Sequence, residues 1–181
     1  MTWPSSCLRA PSVSIEAGQP RESDHVFGDD RAAHTLIQYG DYECPYCLRD
    51  ERGLERLLEQ GSGSVRFVFR HFPLTAEHPN AFRAARAAEA AGLQGKFWAM
   101  HRQLMGRVPP LDDAAIAGCA EIASVVLPRL WDDMDRPELA ARVEHDVETG
   151  RDIDVRGTPW YLLDSRAAGP LPSVAAKLRA S

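Results

Sequence analysis

The chain has 181 residues, 26% charged and 44% hydrophobic, with 21 Lys and Arg against 26 Asp and Glu, giving a net charge of −5. That balance lacks the basic footprint of a general nucleic-acid binder, and no apolar run approaches the roughly 18 to 20 residues that cross a bilayer. The length suits one domain, or one domain carrying a large insertion, able to bury its own core.

The first seven residues, Met1-Thr2-Trp3-Pro4-Ser5-Ser6-Cys7, hold neither a basic stretch nor the roughly 7 to 15 apolar residues of a secretory signal. The expected location is cytoplasmic. Residues 1–25 mix Pro, Ser, Gly and charges without apolar periodicity and are expected to form a poorly ordered arm. His34-Thr35-Leu36-Ile37-Gln38-Tyr39 reads as a largely buried strand ended by Gly40-Asp41. From Pro45 to Gln60, Cys47, Leu54, Leu57 and Leu58 trace one helical face, and Gly61 supplies a stop. Val65 to Phe72 is a second strand closed by Pro73, and the intervening helix makes the two strands parallel.

Residues 75–150 read as helix almost throughout: Asn80 to Ala91, Lys96 to Met105, Asp113 to Ala123 and Pro137 to Thr149, with Gly150 as terminator. This block is expected to be an inserted helical lobe. The cluster Phe97, Trp98, Met100, Leu104 and Met105 fits core packing at that spacing, with a hydrophobic peptide groove as the sharper alternative. Asp132-Asp133 with Asp135 reads as a solvated, helix-capping stretch. After Ile153-Asp154-Val155 come Arg156-Gly157-Thr158-Pro159 and the short apolar run Trp160-Tyr161-Leu162-Leu163, a strand. Asp164-Ser165-Arg166 offers a turn, and Ser173 could cap a last helix ending near Arg179.

Of the four cysteines, 7, 44, 47 and 119, only Cys44 and Cys47 are close, so the chain is no disulfide-stapled scaffold. In Cys44-Pro45-Tyr46-Cys47 the two lie where the first strand gives way to the helix. Cysteines three apart on a first helical turn have Cα atoms roughly 5 to 5.5 Å apart, inside the window a disulfide requires. Cys44 faces unpaired backbone N–H groups and the positive end of the helix dipole, which favour a thiolate and lower its pKa from the free value of about 8.5. Pro45 suits the first turn, and Cys47, one turn deeper, is placed to resolve a mixed disulfide. A zinc site would need four ligands. Cys119 and the histidines at 71, 78 and 101 are the candidates to complete one, although their spacing does not suggest it. No metal and no cofactor is expected.

From Asp24 to Leu163 the chain resembles the DsbA-like branch of the thioredoxin superfamily, particularly its stand-alone or antiporter-fused bacterial members. The resemblance rests on Asp24-His25-Val26-Phe27-Gly28, Gly40-Asp41-Tyr42-Glu43-Cys44-Pro45-Tyr46-Cys47, Arg70-His71-Phe72-Pro73-Leu74, His78-Pro79, Gly95-Lys96-Phe97-Trp98 and Gly157-Thr158-Pro159. It implies an α/β, thioredoxin-like fold with an inserted all-helical lobe, residues 26–74 and 151–181 forming the thioredoxin-like domain and 75–150 the insertion. It also implies thiol-disulfide oxidoreductase activity, with Cys44 attacking and Cys47 resolving. A cis Pro159 would face the pair, with Thr158, Pro159, Pro45 and Tyr46 contacting substrate. The implied partners are protein or peptide disulfides and thiols, with glutathione a candidate, and neither nucleic acid nor membrane. Two other readings stay open: a non-catalytic or zinc-holding module of this fold, and a glutathione-linked transferase or isomerase.

Three departures from the family pattern stand out. Members often place an acid six residues before the first cysteine to relay the resolving thiol's proton, and this chain has Gln38, whose amide cannot take one. Asp41 and Glu43 are nearby carboxyls in a turn where a solvated or capping role is the commoner fate. At the position after Pro159, usually threonine or an aromatic, stands the bulky Trp160, which could narrow the substrate groove, with packing as its expected role. Asp164 to Pro170 shows too little β-pattern for an expected last strand.

Overall fold

The computed structural model describes residues 18–61 and 63–180. Among these, five strands form one sheet: β1 (His25–Phe27), β2 (His34–Gly40), β3 (Val65–His71), β4 (Trp160–Leu163) and β5 (Arg166–Ala167), in the order β1-β3-β2-β4-β5. The pair β2/β3 is parallel and the other pairs are antiparallel. The crossover between β2 and β3 is α1 (Pro45–Gln60). Between β3 and β4 come α2 (Ala81–Gly92), α3 (Phe97–Met105), α4 (Asp113–Ile122), α5 (Leu127–Met134) and α6 (Pro137–Asp152), and α7 (Leu171–Arg179) closes the chain.

Because side chains alternate across a strand, each strand feeds two cores. Leu36, Phe67, Phe69, Tyr161 and Leu163 project to one face and join Cys47 and Leu54 of α1 with the lobe residues Met100, Leu104 and Ile116. Ile37, Tyr39, Val68 and Leu162 project to the other, where Phe72 and Val155 complete a smaller cluster. Phe97, Met100, Leu104 and Met105 are all core.

Several elements differ from the sequence expectation. Within the expected arm, residues 18–25 pack onto the sheet, and His25 opens β1, which pairs antiparallel with β3. The attachment is ionic: Asp24 accepts from Arg70 at 2.8 Å and from Arg21 at 3.0 Å, with Arg70 fully buried. Arg21 and Arg142 both reach Asp146, whose other oxygen accepts from the His71 N–H. A second buried carboxylate, Glu89 of α2, bridges His25 and His71 at 3.0 and 2.9 Å. Against the cost of burial, these two hydrogen bonds hold its pKa below the usual carboxylate range. The expectation for residues 1–17, Cys7 included, lies outside the described residues.

Helix α5 is not among the separate helices expected within 75–150, since its acidic run reads as a capping stretch. Pro128 sits in the first turn, where its missing N–H has no helical partner, and Asp132 and Asp133 lie inside the helix instead of capping one. Gly150 does not end α6. It is kept small by close approach, since a Cβ there would stand 2.8 Å from the Phe72 ring. Pro170, not Ser173, occupies the N-cap of α7. A short last strand does form: Asp164 and Ser165, at φ 49° and 66°, make the two-residue turn that joins β4 to β5.

Candidate active site

The sequence Gly40-Asp41-Tyr42-Glu43-Cys44 carries the chain from the end of β2 into α1, and its acidic residues are anchors. Asp41 is 2% exposed. Its Oδ1 accepts from the Glu43 N–H at 2.7 Å, and its Oδ2 accepts from the Leu74 N–H at 2.8 Å and from His78 Nδ1 at 2.7 Å. Glu43 accepts from the Asn80 N–H at 2.9 Å and the Leu111 N–H at 2.7 Å. Neither carboxylate is solvated: of the two roles expected in a turn, both take the capping one, accepting from backbone N–H groups. Together they tie the approach to α1 onto the loops after β3 and before α4, and so fix where Cys44 lies.

Cys44 is the N-cap of α1, with Pro45 in the first turn and no side-chain capping bond. Its carbonyl accepts the first helical hydrogen bond, from Leu48 at 3.1 Å. The sulfur stands 3.2 Å from the Thr158 carbonyl oxygen, on the segment that enters β4, where the Thr158–Pro159 peptide is cis. No disulfide joins Cys44 to Cys47 in this structure. The Cys44 thiol is lowered to about 5. The largest cause is a hydrogen bond from Cys47. Burial, which leaves Cys44 3% exposed, works against it, while Thr158 and the backbone N–H groups of Cys47 and Tyr46 support it. The helix terminus therefore contributes as expected, but the neighbouring thiol contributes more. Cys47 moves the opposite way, pushed far above the ordinary thiol range by donating to the Cys44 sulfur and by burial. One sulfur is thus an anion at neutral pH and the other holds its proton, which is the division of labour that thiol-disulfide exchange requires.

The remaining expected site residues surround this pair unequally. Tyr46 is 58% exposed, with the Arg49 guanidinium 5.2 Å from its ring centroid. Pro45 is exposed, Pro159 half-buried and Thr158 buried. Trp160 packs against the smaller core cluster. Beyond candidacy for a zinc site, sequence reasoning gave His78 no role. Its hydrogen bond to Asp41 raises its pKa against burial, and the Cys44 charge adds to the rise, so a cation is favoured close to the thiolate. The His78-Pro79 dipeptide was the available signal.

The other zinc-ligand candidates are engaged elsewhere: His71 with Glu89, His78 with Asp41, and His101 with the Tyr42 hydroxyl at 3.0 Å. Cys119 is buried in α4. Among the described residues no group of three or more His, Cys, Asp or Glu is assembled as a metal site, and no helix is long and apolar enough to cross a membrane.

The family model for thioredoxin matches residues 21–175, which contain the whole site and nearly the whole fold. The chain belongs to the thioredoxin family. A thioredoxin-like oxidoreductase from Silicibacter pomeroyi matches at a TM-score of 0.80 and 25% identity, covering 92% of this chain and 98% of that one. BdbD from Bacillus subtilis, in its oxidised form, matches at 0.77 and 21% identity, covering 94% of each chain. In sequence, this thioredoxin-family chain is 40% identical over 145 residues to a Na(+)/H(+) antiporter, NhaA 1 of Salinispora arenicola, covering 80% of this chain and 22% of the antiporter. A second NhaA 1, from Mycolicibacterium gilvum, is 36% identical over 152 residues, 25% of its length. The chain thus spans about a quarter or less of these relatives.

Proposed function

We propose that this thioredoxin-family protein is a DsbA-like thiol-disulfide oxidoreductase that exchanges a Cys44–Cys47 disulfide or dithiol with protein or small-thiol partners through a mixed disulfide. The observation that carries the reading is the placement of the pair: Cys44 at the N-cap of α1 with its sulfur 3.2 Å from the Thr158 carbonyl oxygen, and Cys47 fully buried one turn further on. In the reducing direction, the Cys44 thiolate attacks a substrate disulfide, forming one Cys44–substrate S–S bond and releasing the other substrate sulfur as a thiolate. Cys47 then gives up its proton and attacks Cys44, closing the Cys44–Cys47 disulfide and releasing the second substrate thiolate. The substrate gains two electrons and the cysteine pair loses them. The reverse direction uses the same groups.

Substrate enters along Tyr46, Pro45 and the Thr158–Pro159 segment, whose backbone an extended peptide can meet as an added strand.

The test of function is Cys47→Ser. With the resolving thiol gone, the second step stops, and mixed disulfides on Cys44 accumulate. Non-reducing gels and mass spectrometry should show thiol-releasable adducts on Cys44 that the unsubstituted protein does not retain, and the captured partners define the substrate class. A Cys47→Ser protein that holds no adduct, although Cys44 is reduced and reactive, would contradict the proposal.

A further inference from the structure

The second step has an unmet requirement, since Cys47 must lose a proton that its surroundings hold tightly. Gln38 sits six residues before Cys44, 1% exposed, and its Oε1 has no hydrogen-bond partner. Asp41 and Glu43 are occupied by backbone N–H groups and by His78 and Asn80. One carboxyl close by is uncommitted. Cys47, Glu51 and Leu54 are the buried stripe of α1, and residues four apart on one helical face have β-carbons about 5 to 6 Å apart.

Glu51 is 9% exposed, and its Oε2 is buried without a partner. Its Oε1 lies 3.9 Å from His101 Nε2, beyond hydrogen-bond reach. Burial, reinforced by the charges of His71, Arg102 and His25, keeps that histidine neutral down to about 3, so it forms no ion pair with Glu51. Tyr161 of β4 brings a third group to the same place. Its hydroxyl is buried and unpartnered, and its ionisation is opposed first by burial and then by the charges of Asp50, Cys47 and Glu51. Glu51 also borders a groove of about 440 Å³ with Leu54, Glu55, Leu58, Trp98 and Arg102. Glu55 and Arg102 are exposed there, giving the carboxyl a route to water.

We propose that Glu51 holds the proton of the resolving thiol, serving Cys47 from the helix as an acid at position 38 would serve it from the strand. The inference rests on the exchange reading above. In the mixed-disulfide state the Glu51 carboxylate takes the Cys47 proton, Cys47 attacks the Cys44 sulfur, and the neutral carboxyl returns the proton to the departing thiolate or to water in the groove. No oxidant beyond the substrate disulfide is needed.

The groups that face Glu51 are Glu55 on its own helix, Arg102 and His101 of α3, Tyr42 before α1 and Tyr161 of β4, and Tyr161 also feels the charge of Cys47. Burial is the largest influence on its carboxyl and Glu55 adds to it while Arg102 opposes, bringing it up to about 7. A proton carrier works best when its pKa lies near the working pH.

A chromogenic aromatic disulfide separates the two steps in the full chain carrying Cys7→Ser and Cys119→Ser. The first equivalent of coloured thiol reports attack by Cys44, and the second reports resolution by Cys47. The second phase should show a pH break near 7. Glu51→Gln should remove that break and slow the second phase by about 10²-fold while leaving the first phase alone, and the Q38E/E51Q double variant should recover it. A second phase in Glu51→Gln with unchanged rate and unchanged pH profile would overturn the inference, as would slowing of both phases together without recovery. No first phase in the parent protein would instead refute the exchange reading, and the inference would fall with it.

Discussion

Replacing Cys44 by Ser should reduce disulfide exchange by roughly 10³-fold at neutral pH, because the thiolate is the nucleophile and the remaining thiol is buried and protonated. The asymmetry between the two sulfurs makes this variant different in kind from Cys47→Ser. Cys44 is the group lowered to about 5, with Tyr46 and Pro45 exposed beside it, whereas Cys47 is fully buried beneath it. A Cys44→Ser protein should therefore form no mixed disulfide, while Cys47→Ser forms one and stops. Mass spectrometry of each purified variant after exposure to a substrate disulfide measures this, and adducts forming on Cys47 of the Cys44→Ser protein as fast as on Cys44 of the Cys47→Ser protein would show that the two thiols are interchangeable, contrary to the geometry.

The second large effect is on stability. Asp24→Asn should cost about 3 to 5 kcal/mol, because it strips a buried carboxylate from its cationic partners and leaves those charges uncompensated. Arg70 is fully buried. Its guanidinium also reaches Tyr39 Oη at 3.0 Å and the Gln19 carbonyl at 2.6 Å, so it is held in place while losing its counter-charge. Urea unfolding should show a lower midpoint with an unchanged slope. The pH dependence has a definite sign. The folded pKa of Asp24 is lowered: burial opposes the shift, but hydrogen bonds and charge from Arg70 and Arg21 outweigh it. Its contribution is therefore complete above the unfolded carboxylate value of about 3.9 and is lost as pH falls through the folded value. The gap between the two proteins should thus be widest at neutral pH and close in acid. A constant gap down to pH 2 would mean that the ion cluster does not hold the amino-terminal segment to the sheet.

How much of this was legible in the sequence follows from which signals are local. The strand His34–Gly40, the helix Pro45–Gln60 and the strand Val65–His71 follow from β-branched runs, a 3.6-residue apolar stripe and terminating Gly or Pro, and their bounds come within a residue of the sequence reading. The cysteine pair was legible for the same reason, since three-residue spacing on a first turn is a short-range fact. What escaped depends on distant partners. His25-Val26-Phe27 is too short to show periodicity and becomes a strand only because β3 offers its free edge. Asp24, Glu43 and Glu89 carry the composition of exposed residues but lie buried, each satisfied by groups 18 to 68 positions away. Glu51 looks like one more polar position on an amphipathic helix. Only the packing of α3 and β4 against α1 shows that it belongs to the buried stripe.

The account rests on the ionisation of one sulfur, and the rate of Cys44 carboxamidomethylation against pH measures it directly. Reduced protein treated with iodoacetamide between pH 3 and 10, with modification sites assigned by mass spectrometry, should show Cys44 reacting with a midpoint near 5 and Cys47 protected throughout. A midpoint at or above the free-thiol value of about 8.5, or preferential reaction at Cys47, would contradict it.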